Sequence, residues 1–264
     1  MNRNQAGFST QARESASATT PVDAETIREW FADPAAVDHY SRAAANVGLW
    51  RSEEVILLQA FRRSDKILDV GCGAGRIAFG LWDRGFRNVR GVDFCAPLID
   101  RAREIARNAE MSIQFDVGDA TRLTLHDASF DGVVFGFNGL MQIPGRERRR
   151  AALRELRRVV RPGGLLVFTT HDRDLASERK EWQKERERWA TGTQSGQLIE
   201  FGDRILRRDE GTIFMHLPDR VEILEDLAGS GWAHHYDELR SQIANEPQAV
   251  REFADECRFW IARA

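Results

Sequence analysis

The sequence predicts an α/β fold, a mostly parallel sheet with helices on both faces. Three observations carry this. Residues 66–70, Lys-Ile-Leu-Asp-Val, alternate and then run apolar, as a short buried parallel strand does. A glycine loop follows, and then Ile77, Ala78, Leu81 and Trp82 recur at helical spacing. From residue 88 to residue 170, strand-length apolar runs alternate with helical periods, the pattern of crossover-connected parallel strands.

The chain has 264 residues, enough for one large α/β domain with added elements. Its net charge is −3 and its pI about 6.1, so no overall basic field exists to hold nucleic acid. The longest apolar runs are of strand length, and no membrane-spanning helix is expected. Cys72, Cys95 and Cys257 are odd in number and lack C-x-x-C spacing. Neither a disulfide framework nor a zinc site is indicated, no metal is expected, and the pattern suits a reducing cytoplasm. Residues 1–22 are rich in small polar residues, lack the apolar core of a signal peptide and are expected to form a disordered tail.

Residues 23–62 read as a helical segment placed as a lid. Asp23 can cap a first helix, Asp33-Pro34 restarts a second, and Ser52-Glu53-Glu54 opens a third with Val55, Leu58 and Phe61 on one face. Tyr40 and Trp50 lie among these helices, either as lid residues or as plain packing. The core spans 63–171. Its first loop, with glycines at 71, 73 and 75 and the small Cys72, lets a ligand lie against bare backbone at a helix N-terminus. Two ligand classes use such a turn. Gly73 to Ala78 fits the G-x-G-x-x-A of dinucleotide sites, with Asp93 where that fingerprint wants an acid.

The second strand, 88–93, ends on Asp93, and Phe94 follows it. A helix at 97–109, a third strand at 112–117, and the turn Gly118-Asp119-Ala120 come next. Residues 130–137 read as the fourth strand, ending on Phe137. Residues 146–160 form a helix with an arginine-rich outer face, which reads as solvated. The fifth strand, 165–170, leads to His171. Residues 172–217 read as an insertion: a charged helix at 174–190 with Leu175, Trp182 and Trp189 on one face, then a hairpin at 201–208 and 212–217 around Asp209-Glu210-Gly211. It is either a substrate lid or an oligomer contact. Residues 218–264 complete the core with a helix at 219–229 and strands at 232–240 and 257–262.

The stretch Leu68-Asp69-Val70-Gly71-Cys72-Gly73-Ala74-Gly75 resembles the first motif of the class I S-adenosylmethionine (SAM)-dependent methyltransferases. Their signature has an acid two places before the first glycine of G-x-G-x-G. The resemblance implies a Rossmann-like seven-stranded, mostly parallel sheet with an antiparallel C-terminal hairpin. It implies SAM as cofactor, Asp93 on the ribose diol and Asp119 on the adenine amino group. Asp69, Gly71, Cys72, Gly73, Gly75, Phe94, Ala120 and Phe137 would complete the cofactor site, with Tyr40 and Trp50 closing it.

The run 135–144 resembles the loop of glycine-type and other small-molecule N-methyltransferases and departs from the Asn/Asp-Pro-Pro-Tyr/Phe of enzymes that methylate bases in DNA. The implied reaction is attack by an N, O or C atom of a small-molecule acceptor on the SAM methyl, with neither nucleic acid nor membrane as partner and a homo-oligomer left open. A general base is needed only if the nucleophile must lose a proton. His171 is the first candidate, Tyr40 and His216 the next. Trp182, Trp189, Phe201 and Phe214 hint at a ring-bearing acceptor or are core. The alternatives are a NAD(P)-dependent oxidoreductase and a SAM-binding partner protein without transfer activity.

Overall fold

The structure, a computed structural model, describes residues 20–175, 179–208 and 211–264. Residues 1–19 of the expected tail, 176–178 of the charged helix, and Asp209 and Glu210 of the hairpin turn lie outside the described residues.

Three helices come first: α1 (Ala24–Ala32), α2 (Pro34–Asn46) and α3 (Arg51–Ala60). Asp23 caps α1 by accepting the Thr26 N–H at 2.9 Å, and Asp33 caps α2 by accepting the Ala35 N–H at 2.8 Å, with Pro34 as its first residue. The third helix departs from expectation. Its cap is Trp50, whose N–H donates to Glu53 Oε2 at 2.9 Å. Ser52 turns inward instead and donates to Glu246 Oε1. With Glu53 buried, the inward stripe becomes 53, 56 and 57, so Ile56 and Leu57 are buried while Val55 and Leu58 are each 38% exposed.

The core runs β1 (Ile67–Val70), α4 (Arg76–Asp83), β2 (Val89–Asp93), α5 (Ala96–Asn108), β3 (Gln114–Val117), β4 (Phe130–Phe135), α6 (Arg146–Val159) and β5 (Val160–Thr170). Then come α7 (Arg179–Thr191), the hairpin β6 (Asp203–Arg208) and β7 (Gly211–His216), α8 (Arg220–Gly229), β8 (Ala233–Leu239), α9 (Arg240–Ile243), α10 (Gln248–Phe253) and β9 (Arg258–Arg263). One sheet has seven strands in the order β3-β2-β1-β4-β5-β9-β8. Strands β1 to β5 are mutually parallel, and β9 is antiparallel to both β5 and β8. The expected fold class is therefore present. Strand β1 is buried along its whole length and lies between β2 and β4, where the winding order reverses. In open α/β sheets, ligands bind outside the carboxyl ends of the strands at such a point.

Three boundaries shift, each for a local reason. Strand β4 stops at Phe135, because Phe137 and Asn138 take left-handed backbone angles, φ 49° and 59°. Strand β5 begins at Val160, with Arg161–Gly164 carried as an irregularity in its pairing with β4. Leu175 is not helical while Trp182 lies in α7, so the two share no helical face.

The arginine face of α6 is not simply solvated. Arg146 and Arg150 both donate to Asp226 Oδ1 on α8, at 2.7 and 2.8 Å. Arg149, 1% exposed, reaches Glu222 and Glu200. These side chains join α6 to α8 and to the turn before β6.

The N-terminal helices are held by one buried ion pair. Arg76, the first residue of α4, meets both oxygens of Glu53 at 2.6 Å, with the two side chains 9% and 3% exposed. Breaking one half of such a pair strands a buried charge. Glu53→Gln is expected to lower stability by about 3–5 kcal/mol in urea unfolding, and the double change Glu53→Leu with Arg76→Met by less than that. A single variant as stable as the parent would show that the pair does not anchor the N-terminal helices.

Candidate active site

The carboxyl ends of β1, β2, β3 and β4 open into one cleft holding about 1130 Å³ of space free of protein atoms, its mouth included. The floor is the loop after β1. Gly71 has φ 63°, and a Cβ there would come within 2.6 Å of the Phe135 ring. Gly73 has φ 53°, and a Cβ there would meet nothing within 4 Å. The glycine at 73 therefore leaves open space along bare backbone, a cradle that any side chain would fill.

Three carboxylates line the cleft. Asp69 is 1% exposed and accepts the Ala78 N–H at 3.1 Å, near the start of α4. Burial pushes its pKa up to about 8, although the Arg76 charge opposes the shift. Asp93, at the end of β2, accepts the Gly73 N–H and the Cys95 N–H at 2.8 Å each, one on each oxygen. Burial raises it to about 6 against those hydrogen bonds. Each oxygen of Asp93 keeps a second lone pair for a ligand hydroxyl. Asp119 follows β3; its Oδ1 accepts from Thr121, and its Oδ2 lies 3.9 Å from Arg148. A cleft with two carboxyls held above their ordinary pKa gains most by admitting a hydrogen-bond-donating, positively charged ligand. The donor set and the bare loop both fit an adenosyl sulfonium.

Of the residues expected at the site, Asp69, Gly71, Cys72, Gly73, Asp93, Phe94, Asp119, Ala120, Phe137 and Tyr40 line this one cleft. Gly75, Trp50 and His171 do not. Gly75 instead sits ahead of α4 at φ 93° and turns the chain. Trp50 is 1% exposed and packs edge-on to Phe137 and beneath Arg76. Cys72 is buried, and burial raises its thiol well above the ordinary value, so it is no thiolate nucleophile.

His171 lies behind the β4 turn. Its Nδ1 is 2.9 Å from the Glu256 carbonyl oxygen and its Nε2 is 3.1 Å from Asn138 Nδ2. A carbonyl accepts only, so Nδ1 carries a proton, and where the ring is neutral Nε2 accepts from the amide. The ring is thus held by the Glu256 carbonyl on one side and holds the Asn138 amide on the other. His216 lies in the β6–β7 hairpin and is also absent from the cleft lining. The aromatic residues that line the cleft are Phe31, Tyr40, Phe94, Phe135, Phe137 and Phe253; Trp182, Trp189, Phe201 and Phe214 do not.

Arg76 and Phe253 are among the contributors that sequence reasoning missed. Arg76 lines the cleft while paired with Glu53, and its only sequence signal is its place directly after the glycine loop. Phe253 comes from α10 and stacks on Phe137 at 5.1 Å and on His39 at 5.3 Å. No local pattern links positions 39, 137 and 253.

Comparison with known proteins agrees with this geometry. Residues 67–164 match the family described as methyltransferase domain. Methyltransferase GfsG of Streptomyces halstedii is 30% identical over 151 residues, 54% of this chain and 53% of that one. A demethylmenaquinone methyltransferase of Deinococcus radiodurans is 39% identical over 106 residues, 39% of this chain and 42% of that one. The chain spans about half the length of the curated relatives it matches. Among solved structures, a SAM-dependent methyltransferase from Methanosarcina mazei superposes with TM-score 0.64 at 23% identity, covering 82% of this chain and 98% of that one. The [4+2]-cyclase SpnF superposes with TM-score 0.66 at 17% identity, covering 92% and 97%. These two likenesses establish the fold. Residues 67–164 thus resemble the class I SAM-dependent methyltransferases, and SAM is the cofactor that this likeness implies.

Proposed function

We propose that the protein transfers a methyl group from SAM to a small, apolar, ring-bearing acceptor through a hydroxyl or an activated ring carbon. The observation that carries this is the meeting of Asp69, Asp93 and Asp119, from three neighbouring strand tips, around one bare glycine loop. Asp93 would hold the ribose hydroxyls and Asp119 the adenine edge. Bound SAM supplies a methyl group on a sulfonium that is already a good leaving group.

The chain's own part is to align and to exclude water. Phe137 stands just beyond β4, with Tyr40 edge-on at 6.3 Å and Phe253 stacked on it. These rings wall the part of the cleft beside the cofactor carboxylates. Among the described residues, Asp69, Asp93 and Asp119 are the only carboxylates lining it. All three serve the cofactor in this reading, which leaves no counter-ion for a cationic amine. With His171 committed to Asn138, an acceptor that loses its proton readily, such as a phenol, enol or quinol, suits the cleft best. Tyr40 is the remaining candidate to orient that hydroxyl. Relatives named for demethylmenaquinone and for a phytylated naphthoquinone support an apolar, ring-bearing acceptor.

Calorimetry with S-adenosylhomocysteine (SAH) tests the cofactor half. Asp93→Asn is expected to weaken SAH binding by about 10–100-fold, the worth of charge-assisted hydrogen bonds. The parent's affinity should fall below about pH 6, where Asp93 takes up its proton. The stability of the ligand-free protein runs the other way. A carboxyl raised above its unfolded value costs stability as pH climbs through the window from about 4 to about 6. An asparagine variant with parental affinity would remove Asp93 from the site.

The acceptor half is read by labelled methyl transfer across a panel of phenols, quinols and enols set against primary and secondary amines. Label is expected on the hydroxylated rings, and His171→Gln should keep at least a third of the rate on them, about the effect of loosening one positioning contact. Transfer to amines alone would overturn the acceptor class. Tight SAH binding with no transfer to any member would instead mark a SAM-binding protein without transfer activity.

A further inference from the structure

The insertion is tied to the core by a buried histidine. His216 ends β7 and is 1% exposed. Its Nδ1 is 2.8 Å from Asp203 Oδ1, on the paired strand β6, and its Nε2 is 2.8 Å from Glu222 Oε1, in the first turn of α8. An ionised carboxylate only accepts hydrogen bonds, so serving both contacts requires a proton on each ring nitrogen. The ring is then an imidazolium held between two carboxylates.

The groups facing it form a closed set. Asp203 Oδ2 accepts the Ile199 and Glu200 N–H groups at 2.9 and 3.0 Å. Arg149, from α6, meets Glu200 at 2.8 Å and Glu222 at 3.2 Å. Arg173, after β5, donates to Asp219 at 2.6 Å and lies 3.8 Å from Glu222. Glu200, Asp203 and His216 offer one atom each within 4.8 Å, a grouping of metal-ligand type. Here Asp203 and His216 bond to each other, while Glu200 Oε1 forms an ion pair with the Arg149 guanidinium at 2.8 Å without a hydrogen bond.

What the cluster holds is the cleft's cover. Strand β7 packs on α1 and on the turn Gly139–Gln142. Phe214 of β7 shares a buried cluster with Ile27, Phe31, Ala74 and Leu98, all of which line the cleft. The Val22 N–H also donates to the Gln197 carbonyl at 3.0 Å, joining the N-terminal segment to the insertion.

We propose that His216 is a positioning residue: as an imidazolium bridging Asp203 and Glu222 it locks the β6–β7 hairpin to α8, and with it the cover of the cofactor cleft, and loss of its proton loosens that cover. This rests on the reading that the cleft binds SAM. Burial alone would lower the His216 pKa, but the hydrogen bonds to Asp203 and Glu222 outweigh it and hold the ring above its ordinary value. A basic group raised on folding contributes fully below its unfolded value, about 6.5, and the contribution is lost as pH rises through the raised one. Glu222 is held below its ordinary value, against its burial, by His216, Arg149 and Arg173. Its contribution is lost only in the acid range. The lock is therefore closed near neutrality and opens on the alkaline side.

Two measurements on the full chain test this. Nitrogen-15 NMR of the histidine rings, with His216 assigned by comparison with His216→Gln, should show both its nitrogens protonated at pH 7. SAH affinity by calorimetry should fall about three- to tenfold between pH 6.5 and pH 9 in the parent. In Glu222→Gln, the amide can donate to an unprotonated Nε2, so the lock no longer needs the proton. That variant should lack the three- to tenfold fall and keep only the pH dependence that Asp69, raised to about 8, gives both proteins. A neutral His216 ring at pH 7 would overturn the proposal, as would a Glu222→Gln profile that superimposes on the parent's. Absence of SAH binding at every pH would defeat the cofactor reading and the closure together, and the ring spectrum separates that result from failure of the lock itself.

Discussion

A helix that begins at a glycine has no side chain of its own to cap it, and the fold around β1 follows from that. Helix α4 is preceded by Gly75, so its first N–H groups need an acceptor from elsewhere. Asp69 supplies one, reaching from the strand to the Ala78 N–H. The loop between is then free to be bare backbone, open to a ligand. The same carboxyl is driven into burial, where ionising it is costly, and Arg76 at the head of α4 opposes that cost. The acid, the glycines and the arginine are one solution to one problem. The aspartate two places before the first glycine is thereby explained by the helix it caps as well as by the cleft it lines.

Arg76 carries the constraint outward. Its guanidinium sits on the Trp50 ring at 4.9 Å and donates to the Gly48 carbonyl as well as to Glu53. The segment between α2 and α3 is therefore pinned to the glycine loop by charge, and α3 is pinned in turn to the C-terminal region by Ser52 and Glu246. On the far side of the cleft, Phe137 and Asn138 both hold left-handed backbone angles, which non-glycine residues seldom adopt. The Asn138 N–H donates to Thr169 Oγ1, its amide is held by His171, and the Phe137 ring is enclosed by Trp50, Tyr40 and Phe253. This packing holds the strained turn, which presents the Phe137 ring to the cleft.

What could be read from the sequence divides along that line. Strand, loop and helix at 66–83 announce themselves because backbone geometry demands glycine at fixed places and burial demands apolar runs. Asp93 and Asp119 are legible because each stands at the end of a predicted strand, where the sheet must deliver it to the crevice. The rest depends on contacts between distant positions. The burial of Ile56 rather than Val55 is decided by Glu53 meeting Arg76. The inward role of Arg149 is decided by Glu200 and Glu222, which no helical wheel reveals. His171 illustrates the same limit: its strand-end position is legible, but its two hydrogen bonds, to residues 33 positions before and 85 after, decide what it does.

The titrating groups of the cleft and of the insertion oppose one another, which has a consequence for the whole molecule. In the proposed reading, Asp93, raised to about 6 by burial, accepts a ribose diol best once it is ionised, so ligand binding would gain as pH rises through that value. His216, raised by its two carboxylates, holds the cover only while it keeps its proton, so closure weakens on the alkaline side. Both conditions hold together only between the two values. Asp203 and Glu222 place the upper limit, and the dryness of the β2 tip places the lower. The buried ion cluster of the insertion thus does more than fasten a hairpin: it confines the closed, ligand-competent form to a band of pH whose two edges are set by residues from opposite ends of the chain.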